Sequence, residues 1–179
     1  MPEDEPSGTP ESLAAPQATE AHHAQYPVEA AYTRPGPYAA TTSAVTDGAG
    51  NAICDLYYPA DYAALGFKSP IVTWGNGTLG IPTQYSTLLG HLASHGFTVI
   101  GTTSEETGSG VEIGDAAHYL VAQAGAADSV FYGNLDVNRA AVGHSQGAGG
   151  ATQTALNNPA LIKTLMTFSL PVTYWLNGQ

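Results

Sequence analysis

The segment Gly143-His144-Ser145-Gln146-Gly147 sets one serine between two glycines in the pattern G-x-S-x-G. A strand-type run, Val137 to Val142, ends just before it, and the small residues Ala148-Gly149-Gly150 follow. In that setting the pattern predicts a sharp strand-to-helix turn. Glycine must flank the serine because a Cβ there would clash, and the turn lifts Oγ above the sheet with a helix N-terminus behind it. A serine held in this way is suited to nucleophilic attack in acyl transfer, which makes Ser145 the candidate nucleophile. The plainer alternative is a Gly-rich turn carrying an idle serine.

Acyl transfer also needs N–H donors for the oxygen that gains charge. One is the backbone N–H of the residue after the nucleophile, Gln146. The second is expected from the loop Gly75-Asn76-Gly77, with Asn76 preferred to Gly77. An Asn-Gly pair also marks hairpin turns, but a helical period follows this loop rather than a strand. A serine hydroxyl further requires a base, usually His, and an acid to orient it, in the chain order Ser, acid, His for this type of turn. After Ser145 the sequence contains no Asp, Glu or His. Upstream, His144 adjoins the serine and is expected to point away from it. His91 and His95 close one helix and His118 lies within another, so each reads as structural or solvated. Glu105 and Glu106 follow a strand at the correct sheet edge; they read as a solvated loop, with cleft lining as the alternative.

The elements that would position these groups follow from periodicity and breakers. Residues 1 to about 25 are mostly Pro, Ala, Glu, Ser and Thr, with five acids and no Lys or Arg. Such a segment cannot bury enough apolar surface to order itself, so residues 1–30 read as a disordered acidic tail and 31–179 as the folded core. The pair His22-His23 on that tail is weak as a metal site. Thr41 to Val45 and Ala52 to Tyr58 read as a hairpin around Asp47-Gly48-Ala49-Gly50-Asn51. Strands at Pro70–Trp74, Phe97–Ile100, Val137–Val142 and Lys163–Phe168 then alternate with helices at Pro82–Ser94, Val111–Ala124 and Gln146–Leu156. That alternation predicts an α/β fold of three layers, a mostly parallel sheet with helices on both faces.

Composition narrows the function classes. The 179 residues carry 4 Lys+Arg against 15 Asp+Glu, a formal net charge of −11. So few cations cannot neutralise a row of phosphates or an anionic membrane surface, which argues against nucleic-acid and lipid-surface partners. No apolar run is long enough to cross a bilayer, and the start Met1-Pro2-Glu3-Asp4-Glu5 lacks the basic and apolar character of a signal peptide. The single cysteine, Cys54, excludes a disulfide scaffold within the chain. It reads as a buried, inert thiol, with a partner beyond this chain as the alternative. No metal or cofactor is expected.

From roughly Tyr38 to Phe168 the sequence resembles the α/β-hydrolases, specifically the secreted esterases around the bacterial cutinases and polyethylene terephthalate hydrolases. The resemblance rests on Gly143 to Gly150, on Leu92-Ala93-Ser94-His95-Gly96-Phe97-Thr98-Val99-Ile100, on Leu135-Asp136-Val137-Asn138-Arg139 and on Asn157-Asn158-Pro159. The chain departs from that pattern at Asn76, where an aromatic residue is usual, and at Gln146, where Met is usual. The resemblance implies a serine carboxylic-ester hydrolase with a small or polymeric ester substrate, secreted, and monomeric when complete. It also implies that this chain holds the N-terminal two-thirds of such a fold, lacking the last two strands with the acid and His, and therefore inactive by itself. Trp74, Tyr85 and Trp175 are the expected apolar walls of the substrate site, with a place in the core as the alternative for each. A non-catalytic ester- or surface-binding domain on the same fold is the alternative. Dienelactone hydrolase, lipase or perhydrolase chemistry would use the same turn.

Overall fold

In the computed structural model, residues 27–171 are described. The chain divides between Arg34 and Pro35 into two compact units. In the first, Pro27–Tyr32 forms a short helix, α1, across the expected boundary at residue 30 between tail and core. His22, His23 and Trp175 lie outside the described residues.

Among the described residues the second unit is built on one six-stranded sheet. Its strands are β1 (Ala40–Thr46), β2 (Ala52–Pro59), β3 (Ser69–Gly75), β4 (Thr98–Thr102), β5 (Leu135–His144) and β6 (Thr164–Phe168), in the order β1-β2-β4-β3-β5-β6. The hairpin β1–β2 and the pair β2–β4 are antiparallel, whereas β4, β3, β5 and β6 run parallel. Asp47 closes the hairpin turn by accepting the N–H groups of Ala49 and Asn51, each at 2.9 Å.

Among the described residues three helices cover the sheet: α2 (Ser86–Ser94), α3 (Val111–Gly125) and α4 (Gln146–Asn157). Side chains alternate across β3 with period two. Val72 and Trp74 pack with Leu89 and Ala93 of α2. Ile71 instead packs with Ala116 and Leu120 of α3, and the Thr73 hydroxyl donates to the Ile113 carbonyl at 2.7 Å. Ala117, Ala141 and Ala151 let α3, β5 and α4 approach one another closely. The α/β fold with a mostly parallel sheet and helices on both faces is therefore present as expected.

Boundaries differ in instructive ways. The helix expected over Pro82–Ser94 begins as a 3-10 turn, Pro82–Tyr85, and becomes α-helical only at Ser86. Proline suits a first helical turn because its missing N–H has no partner to lose there. Leu88, which fits the apolar spacing, is 38% exposed. Strand β5 begins at Leu135 rather than Val137, extending the ladder along β3. Strand β6 pairs only with β5 among the described residues and leaves Leu165, Met166 and Phe168 exposed.

Cys54 sits on β2 in the core with Val45, Leu56 and Ile100. Burial pushes its thiol up to about 11, with Asp55 and Asp115 adding repulsion against the thiolate. That is the inert thiol of the first reading, with little sulfur surface to offer a disulfide partner. Because the thiolate is the reactive form, native Cys54 should react with an aromatic disulfide reagent about a hundredfold more slowly than in denaturant at the same pH. Equal rates in the two states would contradict this placement.

Candidate active site

Ser145 links β5 directly to α4, with no intervening residue. Its backbone has φ 55 and ψ −119, a left-handed conformation that costs a non-glycine residue about 1–3 kcal/mol. Packing imposes it. A Cβ on Gly143 would overlap the Gly147 carbonyl, and one on Gly147 would overlap the peptide of Gly75. The first turn of α4 therefore lies against the end of β3 at backbone contact, which only glycine permits. The Ser145 N–H donates to the Phe168 carbonyl at 2.9 Å, and the Ser145 carbonyl accepts from Ala148 and Gly149. The side chain is half-buried. Among the described residues no group hydrogen-bonds its hydroxyl.

The contact between Gly147 and the Gly75–Asn76 backbone brings the two expected oxyanion donors, Asn76 and Gln146, onto adjoining segments. The Asn76 side chain is fully buried. Its Oδ1 accepts the Trp74 indole N–H at 3.1 Å, and its Nδ2 donates to the carbonyls of Thr102 at 2.6 Å and Ser104 at 3.3 Å. The Asn76 carbonyl accepts the Thr107 hydroxyl at 2.7 Å. The side chain thus faces inward and fixes its own backbone. Gly77, the second choice as donor, already gives its N–H to the Tyr85 hydroxyl at 3.1 Å.

Gln146 is fastened from the loop after β4. Its Nε2 donates to Glu106 Oε2 at 2.8 Å, and its Oε1 accepts the Thr107 N–H at 3.2 Å. The same loop reaches the segment after β3, where the Leu79 N–H donates to the Glu105 carbonyl at 3.2 Å. Glu105 and Glu106 are exposed, as a solvated loop would be, yet Glu106 holds the residue next to the serine.

The walls separate into core and surface. Trp74 is 1% exposed, so it is a core residue rather than a contact surface. Its large ring needs the deep site between β3 and α2, and its N–H needs the Asn76 acceptor. Tyr85 is half-buried and lies over Trp74 with ring centroids 5.0 Å apart. His144 is occupied with Tyr85, its Nδ1 3.1 Å from the phenol oxygen. His91 and His95 meet edge to face at 4.8 Å near the end of α2. His118 lines a shallow cavity of about 380 Å³ with Arg139 and Asn157. None of these histidines hydrogen-bonds Ser145, and among the described residues no three metal-ligating side chains converge.

A mostly parallel sheet flanked by helices, with a glycine-flanked serine at a strand-to-helix turn, defines an α/β-hydrolase-type fold. The chain belongs to the PET hydrolase-like family: it matches the PETase family over residues 15–175. At family level this makes the protein a hydrolase of the esterase kind. No curated protein gives a significant match.

The inward role of Asn76 escapes the motif analysis. The clue in the sequence is Trp74, whose indole N–H needs an acceptor once buried. Replacing Asn76 with Ala strips partners from a buried N–H and a buried carbonyl, and should lower the unfolding free energy by about 1–3 kcal/mol in denaturant titration. A loss within about 0.5 kcal/mol, ordinary for a surface change, would contradict the assigned role.

Proposed function

We propose that the protein is a serine carboxylic-ester hydrolase with Ser145 as nucleophile. The observation that carries the reading is the left-handed Ser145 between clash-limited glycines, the geometry of a nucleophile elbow. Oγ attacks the ester carbonyl carbon and passes its proton to a general base. The carbonyl oxygen becomes an oxyanion facing the N–H groups of Asn76 and Gln146. Collapse breaks the bond to the alcohol, which leaves with the proton, and water then hydrolyses the acyl-enzyme to release the acid and restore Ser145. Tyr85 supplies an apolar wall backed by Trp74.

The residues after Ser145 contain no His or acid, and among the described residues no histidine hydrogen-bonds the serine. In this reading the base and its orienting acid come from outside the 179 residues, which alone turn over poorly. Secretion, a monomeric state and an ester of small or polymeric form are carried over from the resemblance. The same lack of a base favours the second reading, a domain that binds esters without hydrolysing them.

Kinetics on a short p-nitrophenyl ester test the proposal in the protein encoded by the whole gene. Ser145→Ala should reduce kcat/KM by at least about a thousandfold. Turnover unchanged in that variant would overturn it.

A further inference from the structure

Thr107 lies in the loop between β4 and α3, 39 residues before Gln146. It is fully buried, although Glu105 and Glu106 just before it are exposed. Its hydroxyl donates to the Asn76 carbonyl at 2.7 Å, and its N–H donates to Gln146 Oε1 at 3.2 Å. Its carbonyl accepts the Gly110 N–H at 3.1 Å and lies against α4, where a Cβ on Gly150 would overlap it. One residue therefore touches both segments that carry the expected oxyanion donors, the loop after β3 and the start of α4.

The bonds around Thr107 leave those segments one arrangement. The Asn76 side chain is already held by Trp74, Thr102 and Ser104. Holding its carbonyl as well sets the direction of its N–H. The Gln146 amide could turn either way, and Glu106 decides between them. A carboxylate only accepts, so Nε2 faces Glu106 at 2.8 Å and Oε1 is left for the Thr107 N–H. Among the described residues neither the Asn76 N–H nor the Gln146 N–H has an acceptor, so both are open to a substrate oxygen.

We propose that Thr107 is a positioning residue for ester cleavage, setting the separation of the Asn76 and Gln146 N–H groups that receive the oxyanion. This rests on the esterase reading. Stabilisation of that kind needs donors in place before the charge develops. Thr107 makes and breaks no bond of the substrate; it acts through Asn76 and Gln146. Its branched Cβ also narrows the rotamers open to the hydroxyl, which keeps the bond to Asn76 in one direction.

Kinetics on the protein encoded by the whole gene test this with two substrates, a short p-nitrophenyl ester and its thionoester, in which sulfur replaces the carbonyl oxygen. Sulfur accepts hydrogen bonds weakly, so the ratio of the two rates reports the oxyanion donors. Thr107→Val keeps the shape and loses the hydroxyl. It should lower kcat on the oxygen ester by about tenfold, short of the loss of a whole donor. KM should stay within about twofold, because the loss falls on the transition state. The thionoester rate should hardly change, and Thr107→Ser should recover most of the oxygen-ester rate. Equal losses on both esters would mark a purely structural residue and overturn the proposal. Unchanged kcat in Thr107→Val, or no recovery in Thr107→Ser, would overturn it as well. If Thr107→Val does not fold, the exposed Glu106→Ala decides, because it frees the Gln146 amide to turn away from Thr107. The oxygen ester alone should then slow by about threefold, the size of one modest hydrogen bond; no selective loss overturns the proposal. Ser145→Ala, measured alongside, separates the two readings. No turnover by the unaltered protein, or full turnover by Ser145→Ala, would overturn the esterase reading and this inference with it. An inactive Ser145→Ala beside a fully active Thr107→Val would overturn this inference alone.

Discussion

The site depends on how closely the first turn of α4 approaches the end of β3. Gly147 rests on the Gly75 peptide and Gly143 on the Gly147 carbonyl, so an added methyl on Gly147 would force α4 from β3, and one on Gly143 would force α4 from β5. At that separation the chain has a single residue in which to change from strand to helix. Ser145 takes the full reversal in one left-handed backbone conformation. The strain is local, and the ladder from β3 through β5 to β6 bears it, since Gly75 pairs with Gly143 and His144 with Phe168.

Close approach creates a second problem, because it buries the polar backbone of the loops that meet there. Such groups destabilise a fold unless partnered. Asn76 resolves much of this by serving an indole N–H and two carbonyls with one amide, while Thr107 serves the Asn76 carbonyl. The Glu106–Gln146–Thr107 links then bind the β4 loop to the start of α4. Three loops after three adjacent strands are thereby held as one frame, the condition for preorganised donors at a reacting carbonyl.

Much of this was legible in the residues. The alternation of apolar runs with helical periods gives the sheet and its helices, because burial on both faces of parallel strands leaves a clear pattern. The G-x-S-x-G segment gives the turn, because steric exclusion acts at fixed offsets. Trp74 stays open between wall and core in the sequence because its type suits both equally, and only its buried position beneath Tyr85 separates the two. Asn76 and Glu106 act through partners 26 and 40 residues away, distances at which spacing carries no signal.

The central claim is that this frame makes Ser145 a nucleophile. The most direct measurement is peptide mapping of the protein from its natural source after reaction with a fluorophosphonate probe. The account predicts one phosphonyl adduct, on Ser145. An adduct on another residue, or none, would contradict it.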